Sequence, residues 1–187
     1  MSIVWMLLYL VPNQIDLGQR HTVPFLFGEQ YIPFIGWSLV IYLSVFVQIM
    51  VGTWLVLKKD FGLATLGVAV IIAMHAIAFV TYPTCYPRAP VQFTPTWLTW
   101  LYDLLVVSDQ PNNCLPSLHV SLALFASAVL YRREKILGAW FLVWGIAICV
   151  STLTVKQHYL LDSILGAIVA ATIYIAAYHQ WPFMVKK

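Results

Sequence analysis

Charge is what this sequence has least of. Only 9% of its 187 residues are Asp, Glu, Lys or Arg, against roughly 25% in an average soluble domain. So few charges cannot cover a water-soluble domain, and that class is excluded. The seven acidic residues are scattered, and no second carboxylate is placed near His158 by spacing. That argues against a Mg²⁺ or two-metal centre, which needs gathered carboxylates. The net charge of +3 is small and dispersed, which argues against a nucleic-acid partner. No basic stretch precedes the first apolar run, residues 1–12, as a signal peptide would require. Neither an internal repeat nor a low-complexity linker divides the chain, so residues 1–187 are read as one domain.

Apolar side chains fill the space that charge leaves. The chain is 61% hydrophobic and 15% aromatic, the composition of an integral membrane protein. Apolar runs extend over about 35–57, 61–80, 118–131, 136–155 and 159–178. Residues 1–12 are short for a hydrocarbon core of about 30 Å, and are either a short span or an interfacial anchor. The pattern predicts an all-α, polytopic bundle of about six transmembrane helices, or five if residues 1–12 do not cross. Residues 13–32 read as a polar loop, with Arg20 and His21 solvated. The connection from Pro83 to Pro116 exceeds the usual loop length, which points to function. Within it, Thr96 to Val107 sets Trp97, Trp100, Leu101 and Leu104 on one helical stripe. Such a helix lies on the bilayer surface or packs as a lid on the bundle.

Sidedness follows from the basic residues. With alternating spans, Lys58, Lys59, Arg132, Arg133, Lys135, Lys186 and Lys187 share one face, and Arg20, Arg88 and Lys156 the other. The positive-inside bias assigns the first face to the cytoplasm. Two polar segments then meet on the non-cytoplasmic face. In the first, S-T-L-T-V-K-Q-H-Y-L-L-D at 151–162, His158 and Asp162 stand four residues apart. On a helix that spacing lets a carboxylate hold one imidazole nitrogen protonated and leave the other as a nucleophile. The second is C-L-P-S-L-H at 114–119. Pro116 suits the first turn of a helix, whose free N–H groups, with the Ser117 hydroxyl, form an anion site. His119 can supply or accept a proton there. With Arg88 in the preceding loop, these residues describe a phosphate site with two histidines.

Over roughly residues 30–180 the chain resembles the type-2 phosphatidic acid phosphatase (lipid phosphate phosphatase) superfamily, whose motifs are K-x6-R-P, P-S-G-H and S-R-x5-H-x3-D. Here the second reads Pro116-Ser117-Leu118-His119, with leucine for glycine. The third reads Ser151, His158 and Asp162, with Thr152 at the arginine position. In the first, Arg88 is present while Thr81 and Ala89 replace lysine and proline. P-S-L-H and the threonine also resemble the inositol phosphorylceramide synthase branch, which transfers a phospho-headgroup to a lipid hydroxyl. The resemblance implies a metal-independent, cofactor-free membrane enzyme acting on a lipid phosphate. In it His158 attacks phosphorus, Asp162 orients the ring, and His119 protonates the leaving oxygen. Arg88, Ser117 and Ser151 would bind phosphate, with Lys156 partly replacing the lost cations. A headgroup transferase and a catalytically weak lipid-binding scaffold are the alternatives. Neither the lipid nor the oligomeric state is set by the sequence.

Other residues are read as structural. His75 is expected to bond a neighbouring helix, and Asp103 and Asp109 to be exposed loop residues. His179 lies near the far end of the last span. Ser163, Ala167 and Ala171 form a small-residue stripe for close packing, and Cys149 is a core thiol. Cys85 and Cys114, each three residues before a phosphate-site residue, are either a disulfide or two separate thiols.

Overall fold

The computed structural model describes residues 13–14, 18–56, 60–88 and 95–179. They form six α-helices: α1 (Ser38–Val56), α2 (Phe61–Thr81), α3 (Thr96–Ser108), α4 (Leu118–Arg133), α5 (Lys135–Thr154) and α6 (Leu160–His179), with a 3₁₀ turn at Glu29–Tyr31. Four of them, α1, α2, α5 and α6, are long and apolar enough to cross a membrane. The other two expected spans differ in kind. Residues 1–12 lie outside the described residues. At 16 residues, α4 reaches only about 24 Å at 1.5 Å per residue. It is the central helix, packed against α1, α2, α5 and α6, and it buries Val120, Ser121, Leu122, Ala123, Phe125, Ser127, Val129 and Leu130. A helix sheathed by other helices need not match the bilayer core in length.

The outer helices carry apolar side chains outward, with Phe46, Met50 and Trp54 exposed on α1 and Trp140 and Val143 on α5. Lipid is the solvent that makes such a surface stable. Polar groups point inward. The fully buried Gln48 amide donates to the Phe141 carbonyl at 2.9 Å, and the Ser127 hydroxyl donates to the same oxygen at 2.8 Å. These bonds fasten α1 and α4 to α5, as polar side chains do between membrane helices. His75 matches its expected role: its Nδ1 donates to the Ile71 carbonyl and its Nε2 bonds Ser121 Oγ of α4 at 3.1 Å.

Two glycines permit the closest approaches to another segment's backbone. Glu134 alone joins α4 to α5, and a Cβ on Gly138 would fall 2.1 Å from Tyr131 Cα. A Cβ on Gly166 would fall 2.6 Å from the Ser117 carbonyl oxygen. The small-residue stripe on α6 is therefore shifted from the expected one. Ser163, Gly166 and Ala170 are buried, whereas Ala171 is exposed.

At one end of the bundle the polar connections knit together. His21 N–H donates to the Pro83 carbonyl, Cys85 N–H to His21, and Tyr86 N–H to Pro111. His21 is stacked on Tyr82 with centroids 4.5 Å apart, which corrects its reading as a solvated residue. Cys85 and Cys114 are free thiols, so the disulfide alternative is not the one adopted. Burial pushes the Cys114 thiol well above its usual range, so it stays neutral. Helix α3 packs Leu98, Tyr102 and Leu105 against Leu39, Tyr42 and Val155. Its Trp97, Trp100 and Leu104 face outward, exposed among the described residues.

Candidate active site

The first histidine is held by a loop that folds back on its own helix. After α5, Lys156 takes a left-handed conformation at φ 58°. Both Gln157 N–H and His158 N–H then return to the Thr152 carbonyl, at 3.0 and 3.3 Å. That reversal buries His158 beneath the knitted connections. Its Nδ1 lies 3.1 Å from the Cys114 carbonyl and 3.3 Å from Asp162 Oδ2. A carbonyl and a carboxylate are both acceptors, so Nδ1 carries the proton and Nε2 keeps the lone pair.

Asp162 is fully buried in the first turn of α6. Its Oδ2 also accepts the Tyr159 N–H at 2.9 Å, the back-reaching half of a capping box. One carboxylate thus starts the helix and orients the histidine.

The second histidine stands at the start of α4. Ser117 caps this helix, its Oγ accepting Val120 N–H at 3.4 Å. Helix α4 therefore begins at Leu118, and Pro116 precedes the cap, not within the first turn as expected. The Ser117 N–H donates to the Asp162 carbonyl at 2.9 Å, which ties this corner to the start of α6. His119 packs on Tyr42 with centroids 4.6 Å apart, and on Phe46 at 6.2 Å. The His119 and His158 rings meet edge to face, 5.8 Å between centroids. Two imidazoles 39 residues apart in sequence are therefore neighbours.

Arg88 reaches the same corner. Its guanidinium donates to the Asp109 carbonyl and lies 3.7 Å from Asp109 Oδ2. It also lies within electrostatic range of His119. Its Nε is buried without a hydrogen-bond partner among the described residues, leaving a donor for an anion. Asp109 is thus not a free loop residue: it also accepts from Asn13 Nδ2 at 3.0 Å.

Two expected phosphate ligands are held elsewhere. The Ser151 hydroxyl donates to the Ile148 carbonyl at 2.7 Å. Lys156 Nζ donates to the Ile32 carbonyl at 2.6 Å. Thr152, at the position where the motif has arginine, donates to Cys149 and contacts Ser163 Oγ at 3.3 Å.

Sequence reasoning missed two residues. The buried Glu29 carboxylate accepts Leu160 N–H through Oε1 at 2.7 Å and Leu26 N–H through Oε2 at 3.3 Å. It caps α6 from 131 residues away. Its one sequence signal is an acidic residue after a glycine in a nearly uncharged stretch. Tyr42, the platform under His119, is one aromatic residue in an apolar run and carries no signal at all.

Comparison with known proteins gives a family match. A family model described as the PAP2 superfamily matches residues 36–186. No curated protein and no solved structure matches the chain.

Proposed function

The chain belongs to the PAP2 superfamily, and on that premise we propose that it is an integral membrane lipid phosphatase working through a phosphohistidine. Phosphatase-type chemistry is the general property of that family. The observation that carries the finer reading is the facing pair of rings. His158 has Nδ1 occupied by two acceptors, and its Nε2 has no hydrogen-bond partner among the described residues, with the His119 ring 5.8 Å away.

In this reading His158 Nε2 attacks phosphorus while the bond from phosphorus to the lipid oxygen breaks. His119, as its imidazolium, gives its proton to that oxygen. Neutral His119 then takes a proton from water as the water oxygen attacks the phosphohistidine. Free phosphate leaves, and both histidines return to their starting states. Asp162 stabilises the cationic ring while it carries the phosphoryl group. Arg88 Nε, the Ser117 hydroxyl and the first N–H groups of α4 oppose the phosphoryl oxygens. No step is assigned to Ser151 or Lys156.

A second reading, transfer of a phospho-headgroup to a lipid hydroxyl, is favoured by Leu118 and Thr152, the two departures shared with the inositol phosphorylceramide synthase branch. A scaffold without chemistry has no use for Ser117, His119, His158 and Asp162 together. Purified protein incubated with phosphatidate, phosphatidylglycerol phosphate, polyprenyl diphosphate and sphingolipid donors separates these readings. Release of phosphate supports the phosphatase. A new phospholipid without free phosphate supports the transferase. No product from any donor supports the scaffold.

The histidine end is proposed to face away from the cytoplasm, with α4 and residues 1–12 completing six crossings and α3 lying at the interface. In a background lacking native thiols, a cysteine near Gln110 is expected to react with an impermeant thiol reagent in intact cells. One near Arg133 should be protected. The reverse pattern would overturn the orientation.

A further inference from the structure

The opposite end of the bundle holds a second group of features that the chemistry above does not use. At the start of α2 and the end of α4, Asp60 is paired with Arg133. Arg132 and Lys135 have no carboxylate partner among the described residues. Each is held over an aromatic face instead. The Arg132 guanidinium lies 5.4 Å from the Tyr178 ring centroid, and Lys135 Nζ lies 4.2 Å from that of Tyr131. A cation on a ring keeps its full charge and turns its remaining N–H groups outward. Together with Asp60, Arg133 and Tyr174, the side chains of Arg132, Lys135 and Tyr131 line an open pocket of about 500 Å³. Its three cations exceed its single carboxylate, and they still exceed it when the exposed Glu134 is counted. Tyr178 is 2% exposed, and its hydroxyl has no partner among the described residues.

An apolar cleft lies beside this pocket. It holds about 300 Å³ between α2 and α6, lined by Leu63, Leu66 and Val70 on one side and Ile173 and Ala176 on the other. Leu63 is three residues beyond Asp60, and Ile173 adjoins Tyr174, so cleft and pocket follow one another along the same two helices. A surplus of positive charge at the end of a bundle, continuous with a chain-width apolar cleft, matches the two parts of an anionic phospholipid.

We propose that this end of the bundle binds one anionic glycerophospholipid, its phosphate between Arg132 and Lys135 and one acyl chain in the cleft between α2 and α6. The site is separate from the histidine end and serves the leaflet opposite to it. Bound there, the lipid bridges α2 to α6 and to the end of α4, the helix whose other end carries His119.

The test uses the full chain in phosphatidylcholine nanodiscs doped with phosphatidylglycerol, with retained lipid counted by native mass spectrometry after release. Wild-type protein and His158→Ala are both expected to keep one phosphatidylglycerol per chain and to melt at higher temperature in its presence. The exposed double substitution Arg132→Gln/Lys135→Gln is expected to weaken retention about thirtyfold, the scale of two basic residues facing an anionic headgroup, and to cancel the melting shift. Ala176→Phe, at an exposed position of the cleft wall, should lower retention while leaving melting in phosphatidylcholine alone unchanged. Equal retention of phosphatidylcholine, or retention untouched by the double substitution, would overturn the proposal. Loss of the lipid in His158→Ala would assign it to the histidine end instead. Displacement by free glycerol 3-phosphate would overturn the acyl-chain part, as would retention unaffected by Ala176→Phe.

Discussion

Replacing His158 by alanine is expected to abolish turnover and, with it, any acid-labile phosphoenzyme. Loss of a nucleophile from a cooperating triad costs on the order of 10⁶-fold in kcat, because no neighbour takes over its bond-making role. Here the nearest imidazole, His119, packs tilted on Tyr42 and has no carboxylate partner among the described residues to fix its tautomer. The substitution leaves the fold intact on the bonds described. Asp162 keeps the Tyr159 N–H, Ser117 N–H keeps the Asp162 carbonyl, and the residue 158 N–H keeps Thr152. His119→Ala gives the contrasting result. With a substrate whose leaving group needs no proton, the phosphoenzyme should still form and then decay slowly, since the base for water is gone. Rapid-quench labelling with a ³²P-lipid followed by acid and base treatment distinguishes the two variants. Near-normal activity in His158→Ala would show that the nucleophile is another residue.

The parts of this molecule that sequence could reveal are those written at short range. His158 and Asp162 are four residues apart, so spacing joins them even though His158 sits in the loop before α6, and the long helices follow apolar runs with few charges. Ser117 and His119 are likewise close in sequence, two residues apart at the start of α4. What was not legible depends on contacts between distant segments. Glu29 meets Leu160 across 131 residues, and Arg88 meets Asp109 across 21. Neither pairing leaves a periodicity, because Glu29, Arg88 and Asp109 all lie outside the α-helices. Lys156 and Ser151 illustrate the opposite case. Both lie close to His158 in sequence, yet one side chain turns to Ile32 and the other back to Ile148. Ser151 bonds back to its own helix, and the left-handed backbone at Lys156 redirects that side chain, neither of which residue spacing can express.

Span counting met a related difficulty. A hydropathy window asks whether a segment would dissolve in lipid, but α4 is surrounded by four other helices. Its serines at 121 and 127 are fully buried and bonded to backbone carbonyls of α6 and α5. They dilute its hydropathy while fastening the bundle. The same helix presents Ser117 and His119 at one end and Arg132 at the other. The proposed site and the basic cluster thus sit at opposite ends of the central helix.

Asp162→Asn and Asp162→Ala are expected to separate the two roles of one carboxylate. Asparagine is nearly the same shape. Its carbonyl oxygen can keep both the Tyr159 N–H and the His158 Nδ1–H, while its amide takes the place of Oδ1, which has no partner among the described residues. The cap on α6 therefore survives and stability should change little. What is lost is the negative charge that stabilises the ring once it bears phosphorus. Amide-for-carboxylate exchange in an orienting triad position lowers kcat about 10⁴-fold, and a loss of that order is expected here with KM nearly unchanged. Alanine removes the hydrogen bonds as well. It leaves the Tyr159 N–H without its acceptor in a buried site, at a cost of about 1–3 kcal/mol, so the melting temperature should fall in addition to the rate. Measuring kcat, KM and thermal unfolding on the three proteins distinguishes these effects. A rate for Asp162→Asn within tenfold of wild type would mean that the charge on Asp162 serves the helix start and not the chemistry. A fall in stability equal to that of Asp162→Ala would mean that the asparagine carbonyl does not keep the cap, and the rate could not then be assigned to charge alone.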